Sequence, residues 1–483
     1  MPNTTSNHGA RGAFVTVAVQ VVRLAVQLIG MVVLSRLLSP ADFGLIAMVA
    51  VFTVLGDRLR DFGIPTAALQ ARELSHQQAS NLFWINTGLG TLLAAALVLS
   101  TPLIVALYGE PSLAGIIPFA AAALLSGGLQ AQQQIHLARS LRFNTAALTE
   151  IGAQLIATGL AISLAWSGYG VWALAWQIAA APVALFVLRF AAARFVPKAP
   201  RRGAATQPLI RAGLHVGGAQ LLNFAALNAS TVMIGNRWGA APLGQYGRAA
   251  NLTNMPTQAV VGPLTNVAIP TLNRLRREGR DVNSALLNIH TLITLLGVTM
   301  FTAAASSAPW LIPLVLGQDW APAVGIFQAL SAGGAVSFAA TCCFWGFLLN
   351  DATRSLLISD LIAKPISVVL VFAGVLHSVE AAAIAHSAGI AVSWLTNLLM
   401  LARLNSFPSL QSFLVGVRLI AAGALGVLSV TVLHSELQRL PAAGAVTAAV
   451  LVSLSIMMLA ITITPGGFKL IRGAWRSAAM LRK

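Results

Sequence analysis

AFVTVAVQVVRLAVQLIGMVVLSRLL, residues 13–38, runs for 26 residues with only two charges, Arg23 and Arg36. At 1.5 Å of rise per residue, about 20 apolar residues cross the roughly 30 Å hydrocarbon core of a bilayer, so this stretch reads as a membrane-spanning helix. It is too long for the core of a signal peptide and has no small-residue cleavage site after it, so it is expected to be retained as the first helix. Working outward, comparable runs recur over 43–66, 81–107, 114–135, 147–166 and 171–193. After a polar, basic interruption they resume at 213–236, 244–271, 286–308, 322–348, 355–375 and 380–402, and close with 413–434 and 441–463.

Composition agrees with this reading: 57% of the 483 residues are hydrophobic, 9% are charged and the mean hydropathy is +0.79. Soluble domains are about a quarter charged, which excludes a water-soluble fold. In lipid every backbone polar group needs an internal partner, leaving helices or closed barrels. Barrel strands would alternate apolar and polar residues over about ten positions, and these runs do not alternate. The expected fold is therefore all-α and integral to the membrane, with about fourteen transmembrane helices.

The net charge of +17 would suit a nucleic-acid binder, but its distribution points elsewhere. Most Lys and Arg fall on alternate connections: Arg139 with Arg142, the segment from Arg194 to Arg211, Arg274 to Arg280, and the tail with Lys469, Arg472, Arg476, Arg482 and Lys483. That is the positive-inside pattern; it places both termini in the cytoplasm and removes the case for nucleic acid. In the tail, Phe468, Ile471, Trp475 and Ala478 recur at helical spacing opposite the cations, as in a helix lying on an anionic membrane surface. The expected divisions are an N-terminal lobe 1–193, a cytoplasmic linker 194–212, a C-terminal lobe 213–402, an extra helix pair 403–463 and an amphipathic tail 464–483. A short internal repeat supports two lobes: SRLLSPADFGLIAM, Ser35 to Met48, has a counterpart at Asn236 to Ala249. Parallel repeats of this kind often place a substrate site at the lobe interface.

Several chemistries are excluded by what the chain lacks. None of the four lysines follows a glycine, so no P-loop exists. The eight histidines are scattered, and Cys342 and Cys343 are adjacent inside an apolar run, so neither a metal site nor a disulfide framework is expected. No cofactor is expected, and the connections are too short for a soluble catalytic domain.

Charges inside spans carry the functional signal, because each costs roughly 2.5–3.5 kcal/mol at a helix centre unless it faces a cavity or a partner. In DRLRDFGIPTAALQ, Asp57 to Gln70, four charges fall within five positions. Asp57 and Asp61 share a helix face, whereas Arg58 and Arg60 lie about 200° apart. Arg23, Arg248, and Asp360 with Lys364 at i and i+4 are further candidates; Arg36, Arg237 and Arg418 read as interfacial anchors. Arg23, Arg58, Arg60, Arg248 and Lys364 form the expected substrate cavity, an arginine fork being matched to phosphate oxygens. Asp57, Asp61 and Asp360 are candidates for charge pairing or for proton or ion coupling. Gln245, Asn251, Asn254 and Gln258 are available to sugars or, equally, to neighbouring helices.

At SRLLSPADFGLIAM, at RDFGIPTAALQ with LSHQQASNLFWINTGLG (Leu74 to Gly90), at GYGVWALAWQ (Gly168 to Gln177) and at LGQYGRAANLTNMP (Leu243 to Pro256), the chain resembles the O-antigen and exopolysaccharide flippases of the multidrug/oligosaccharidyl-lipid/polysaccharide exporter superfamily. The resemblance implies two six-helix lobes around a central cavity plus a C-terminal helix pair. It also implies movement of undecaprenyl-diphosphate-linked oligosaccharides to the outer leaflet of the cytoplasmic membrane by alternating access, without catalysis, alongside a polysaccharide polymerase and glycosyltransferases. The related lipid II flippases carry arginines, an acidic residue and Gly in helix 2, matched in kind by Arg58, Arg60, Asp61 and Gly63. Their Arg-Asp pair in helix 1 has no match, since Gly30 and Met31 stand there and Arg23 lies one to two turns away. The alternatives are a cation-coupled exporter of small molecules, which would favour acidic and aromatic cavity residues, and a membrane glycosyltransferase or polymerase, which would need a sizeable outer loop.

Overall fold

A computed structural model describes residues 22–61, 68–69, 74–201, 224, 228–279, 281–404, 407–464 and 466–467. The described residues form helices and connections, with no strand among them. In chain order the helices are α1 (22–37), α2 (Pro40–Asp61), α3 (His76–Leu99), α4 (Thr101–Tyr108), α5 (Leu113–Arg139), α6 (Phe143–Trp166), α7 (Val171–Ala193), α8 (228–238) and α9 (Ala240–Arg277). They continue as α10 (Val282–Leu316), α11 (Ala323–Leu349), α12 (Thr353–His377), α13 (Val379–Ala402), α14 (Ser409–Val432) and α15 (Ala442–Ile463), with single helical turns at Gln318–Trp320 and His434–Leu437 in the connections. Eleven of these are long and apolar enough to cross a bilayer. Of the other three expected spans, those beginning at 13 and 213 lie partly outside the described residues. The third is α9, whose 38 residues include Pro256, Pro263 and Pro270 and whose last turn carries Arg274, Arg276 and Arg277. At about 57 Å it is far longer than the hydrocarbon core, so the cationic end emerges from it. The tail, Gly63, most of the expected linker and the Asp61 side chain lie outside the described residues.

The chain packs as two compact units, Met1–Gly244 and Gln245–Lys483. In the first, α5 is the most enclosed helix and packs against α2, α3 and α7. Its approach to α3 is set by glycine: a Cβ on Gly128 would stand 2.6 Å from the Asn86 carbonyl oxygen. Small residues at such crossings let backbones close in where lipid offers no hydrophobic drive. The two copies of the sequence repeat also meet here. A Cβ on Gly44 would overlap the Ala240 carbonyl and one on Gly244 the Pro40 carbonyl, so the first turns of α2 and α9 touch through their backbones.

The beginning of the expected linker is fastened along α3. Gln77, Asn81 and Trp84 donate to the carbonyls of Ala199, Arg201 and Lys198 at 2.9, 2.8 and 2.9 Å, and the Ser80 hydroxyl accepts from Lys198 N–H at 3.0 Å. Two of the basic residues donate to backbone carbonyls, Arg142 to that of Ala192 in the last turn of α7 at 2.9 Å and Arg139 to that of Ala68 at 2.8 Å.

The second unit is built on α10 and α11. Phe338, Trp345 and Phe347 are fully buried, and Gly297 leaves the space that Phe338 fills. Cys342 and Cys343 are buried free thiols in the same core. The pair α14 and α15 belongs to this core, contributing Leu419, Ala422, Met457 and Ile461. Arg418 bonds the Ile461 and Thr464 carbonyls at 3.0 and 2.9 Å and so satisfies the end of α15.

Candidate functional site

Within the first unit, α1, α2, α5, α6 and α7 line an open cavity of about 510 Å³. Its charged lining comprises Arg23, Asp57, Arg60, Glu150 and Arg189, with Gln130, Gln134 and Gln154 beside them. Among the described lining residues three guanidiniums face two carboxylates, a sum of one positive charge.

Arg189, on α7, is 2% exposed and holds the arrangement together. Its Nη2 donates to Glu150 Oε1 at 2.7 Å, and its Nη1 donates to Gln130 Oε1 at 2.6 Å and Gln134 Oε1 at 3.1 Å. Gln130 and Gln134 are one turn apart on α5 and therefore share a face. A buried guanidinium needs such partners, since an unpaired charge in a low-dielectric interior is strongly unfavourable. The other carboxylate oxygen, Glu150 Oε2, accepts from Arg23 Nη1 at 3.4 Å. One acidic residue on α6 thus bridges a buried arginine and the half-exposed Arg23.

Arg60 is buried and donates to Asp57 Oδ1 at 2.7 Å, one turn back along α2. Its guanidinium occupies space that exists because α5 has Gly127, where a Cβ would overlap it. Neighbouring glycines on α5 therefore do separate work: Gly128 admits the α3 backbone and Gly127 admits an arginine. Arg58 is exposed and lies outside the cavity lining, as the angle of about 200° between the two arginines requires.

The remaining candidates lie in the second unit. The Arg248 guanidinium sits 5.8 Å from the centre of the Trp320 ring, in cation–π range. Lys364 is paired with Asp360 at 2.8 Å, both about one third exposed. Gln245 is buried and donates to the Asp319 carbonyl at 2.8 Å, a bond between segments of the protein. Arg23, Asp57 and Arg60 are thus brought to one cavity, and Arg248, Asp360 and Lys364 are not part of it. Glu150, Arg189 and the glutamines were not singled out in the sequence. The available signals were two charges inside predicted spans and the run QAQQQ, 130–134.

A protein-family model described as "Polysaccharide biosynthesis protein" matches residues 33–325. Among curated proteins, the chain is 26% identical over 319 residues to the lipopolysaccharide biosynthesis protein WzxC of Escherichia coli (strain K12), covering 65% of this chain and 64% of that one. It is 25% identical over 308 residues to the succinoglycan biosynthesis transport protein ExoT of Rhizobium meliloti (strain 1021), covering 62% and 61%. The chain therefore spans a little under two thirds of the length of these two relatives. Its fold is similar to a solved lipid II flippase MurJ in an inward closed conformation, with a TM-score of 0.71 at 12% identity over 93% of this chain and 98% of that one. A multidrug-resistance MATE family transporter, inward-facing, gives a TM-score of 0.54 at 15% identity over 79% and 94%. At these identities the likeness is one of fold.

Proposed function

This chain belongs to the polysaccharide biosynthesis protein family, and we propose that it is a flippase that carries a lipid-linked oligosaccharide from the inner to the outer leaflet of the cytoplasmic membrane. The observation that carries the reading is a cavity inside a bundle of membrane helices whose described charged residues sum to one positive charge, with three arginines and three glutamines in its lining. A permanently charged planar fork suits phosphoryl oxygens. The substrate is read as an undecaprenyl-diphosphate-linked repeat unit, its polyprenyl chain remaining in lipid while the headgroup enters the protein.

In this reading Arg23, half exposed and at 3.4 Å from its carboxylate, exchanges Glu150 for a substrate phosphate. Arg60, held by Asp57, supplies a second positive charge without leaving its place. Alternating access then delivers the headgroup outward. Export of about two negative charges from a negative interior gains roughly 4–5 kcal/mol per 100 mV, at about 2.3 kcal/mol per charge, so the membrane potential is a sufficient drive. Polymerase and glycosyltransferases acting on the same lipid are the expected partners, and both termini are placed in the cytoplasm.

Depletion of the protein in its host tests the reading. The expected result is accumulation of a complete, unpolymerised lipid-linked unit in the inner leaflet with loss of surface polysaccharide, reproduced by Arg23→Ala. A truncated glycan would mark a transferase instead, and unchanged glycolipids with altered drug tolerance would mark a small-molecule exporter. Flipping that survives dissipation of the membrane potential would overturn the electrophoretic account.

A further inference from the structure

The orientation of two cavity amides follows from chemistry alone. A guanidinium has five N–H donors and no acceptor. The atoms that Gln130 and Gln134 turn toward Arg189 Nη1 are therefore their oxygens, at 2.6 and 3.1 Å. Each Nε2 is left on the opposite branch of its amide, carrying two N–H groups, and among the described residues neither has an acceptor. The nearby carboxylate is used in the same way: both oxygens of Glu150 are engaged, one by Arg189 and one by Arg23. Around Arg189 the acceptors of Gln130, Gln134 and Glu150 are consumed internally and the two amide donors remain, whereas Gln154, one turn along α6, spends its own donor on Thr158 at 3.1 Å.

We infer that Gln130 and Gln134 form an oxyanion-reading subsite, and that Arg189 is the positioning residue that makes both amides present N–H. The inference rests on the reading of this cavity as the substrate site. A neutral hydroxyl both donates and accepts and gains no preference from a pair of amides that present only donors. An oxyanion accepts at every oxygen and matches both the donors and the net positive charge. At i and i+4 the two side chains start about 5–6 Å apart, close enough to converge on one such group. The matching chemistry is a phosphoryl group of the lipid carrier or a carboxylate on an acidic sugar.

The test uses the full-length chain in nanodiscs at pH 8, with farnesyl diphosphate, digalacturonate and maltose as probes. Gln130→Glu and Gln134→Glu are the informative variants, because a glutamate oxygen still accepts from Arg189 while the N–H donors are replaced by negative charge. Each should keep the wild-type thermal midpoint and weaken oxyanion binding by about tenfold or more. A purely structural role for these glutamines predicts no loss. Arg189→Lys should also weaken binding, and combining it with Gln130→Glu should add little further loss, since the first acts through the second. Binding of farnesyl diphosphate alone assigns the subsite to the carrier phosphate, and binding of digalacturonate alone to an acidic sugar; either supports the inference. Glutamine variants that bind like wild type, while Arg23→Ala weakens binding, overturn the subsite and leave the transport reading intact. Maltose binding as tightly as the oxyanions also overturns the subsite. Failure of wild-type protein to bind either oxyanion removes the cavity as substrate site, and the subsite with it.

Discussion

Replacing Glu150 with alanine withdraws one carboxylate from two guanidiniums, which should respond very unequally. The Arg189 side chain is 3% exposed, so loss of its carboxylate at 2.7 Å leaves a buried cation with only two amide oxygens. Breaking a buried pair costs about 3–5 kcal/mol. Because the Glu150 side chain is itself 37% exposed and the glutamine bonds persist, the expected value lies at or just below the lower limit of that range, at about 2–3 kcal/mol. The Arg23 side chain is 54% exposed and stands 3.4 Å from the same carboxylate, so Arg23→Ala should cost at most about 1 kcal/mol. The assay is reversible unfolding of the purified full chain in mixed micelles, with Glu150→Ala, Arg23→Ala and Arg189→Met/Glu150→Leu measured side by side. Removing both members of the buried pair should restore much of what Glu150→Ala loses, since no unpaired charge then remains. Equal costs for Arg23→Ala and Glu150→Ala, or a double variant no more stable than Glu150→Ala, would refute the assignment of Arg189 as the buried keystone.

Three further outcomes are expected. Gly127→Ala places a Cβ where the Arg60 guanidinium lies; because that group is the far end of a flexible side chain, the protein should accumulate normally while transport falls, and unchanged transport would separate Arg60 from function. Arg418→Ala removes two charge-assisted bonds to carbonyls at the end of α15 and should cost about 1.5–3 kcal/mol in the same unfolding assay, with faster proteolysis near residue 464 as a second readout. Asp281 caps α10, and bonds from the Ser284 hydroxyl, the Ser284 N–H and the Asn283 N–H hold its carboxyl below the ordinary value of 3.8. Its contribution is therefore fully present above that ordinary value and is lost as pH falls through the lower folded value. Asp281→Asn keeps an acceptor for the cap and should flatten the corresponding acid loss in a thermal-midpoint series between pH 7 and pH 3.

The sequence located most of the helices, and the run 171–193 coincides with α7, but α9 and α10 extend well past their expected spans. The apolar run expected at 286–308 belongs to α10, Val282–Leu316, because a hydropathy window reports the part that fits lipid while the hydrogen-bonded ladder continues past it. Arg23 had no acidic neighbour in sequence, and its partner Glu150 lies 127 residues away, a distance that only packing of α1 against α6 can close. Glu150 and Arg189 sit within two turns of the predicted ends of their spans, where a charge is normally accounted for by snorkelling and so attracts no notice. The QAQQQ run reads as an unusually polar patch, but which glutamines face the cavity depends on the rotation of α5 about its axis.

By itself the sequence determined the solvent this protein lives in, its all-helical class and the helical face along which α2 divides Arg58 from Arg60. These follow from one-dimensional quantities: the length of apolar runs against bilayer thickness, and a turn of 100° per residue. Tertiary structure decided which charges meet. A buried guanidinium on α7 can be neutralised by any carboxylate the fold brings within reach, and that choice is made by the packing of α6 against α7, where a Cβ on Gly152 would stand 3.1 Å from Leu188; Gly127, Gly128 and Gly90 set in the same way how closely α2, α3 and α5 approach.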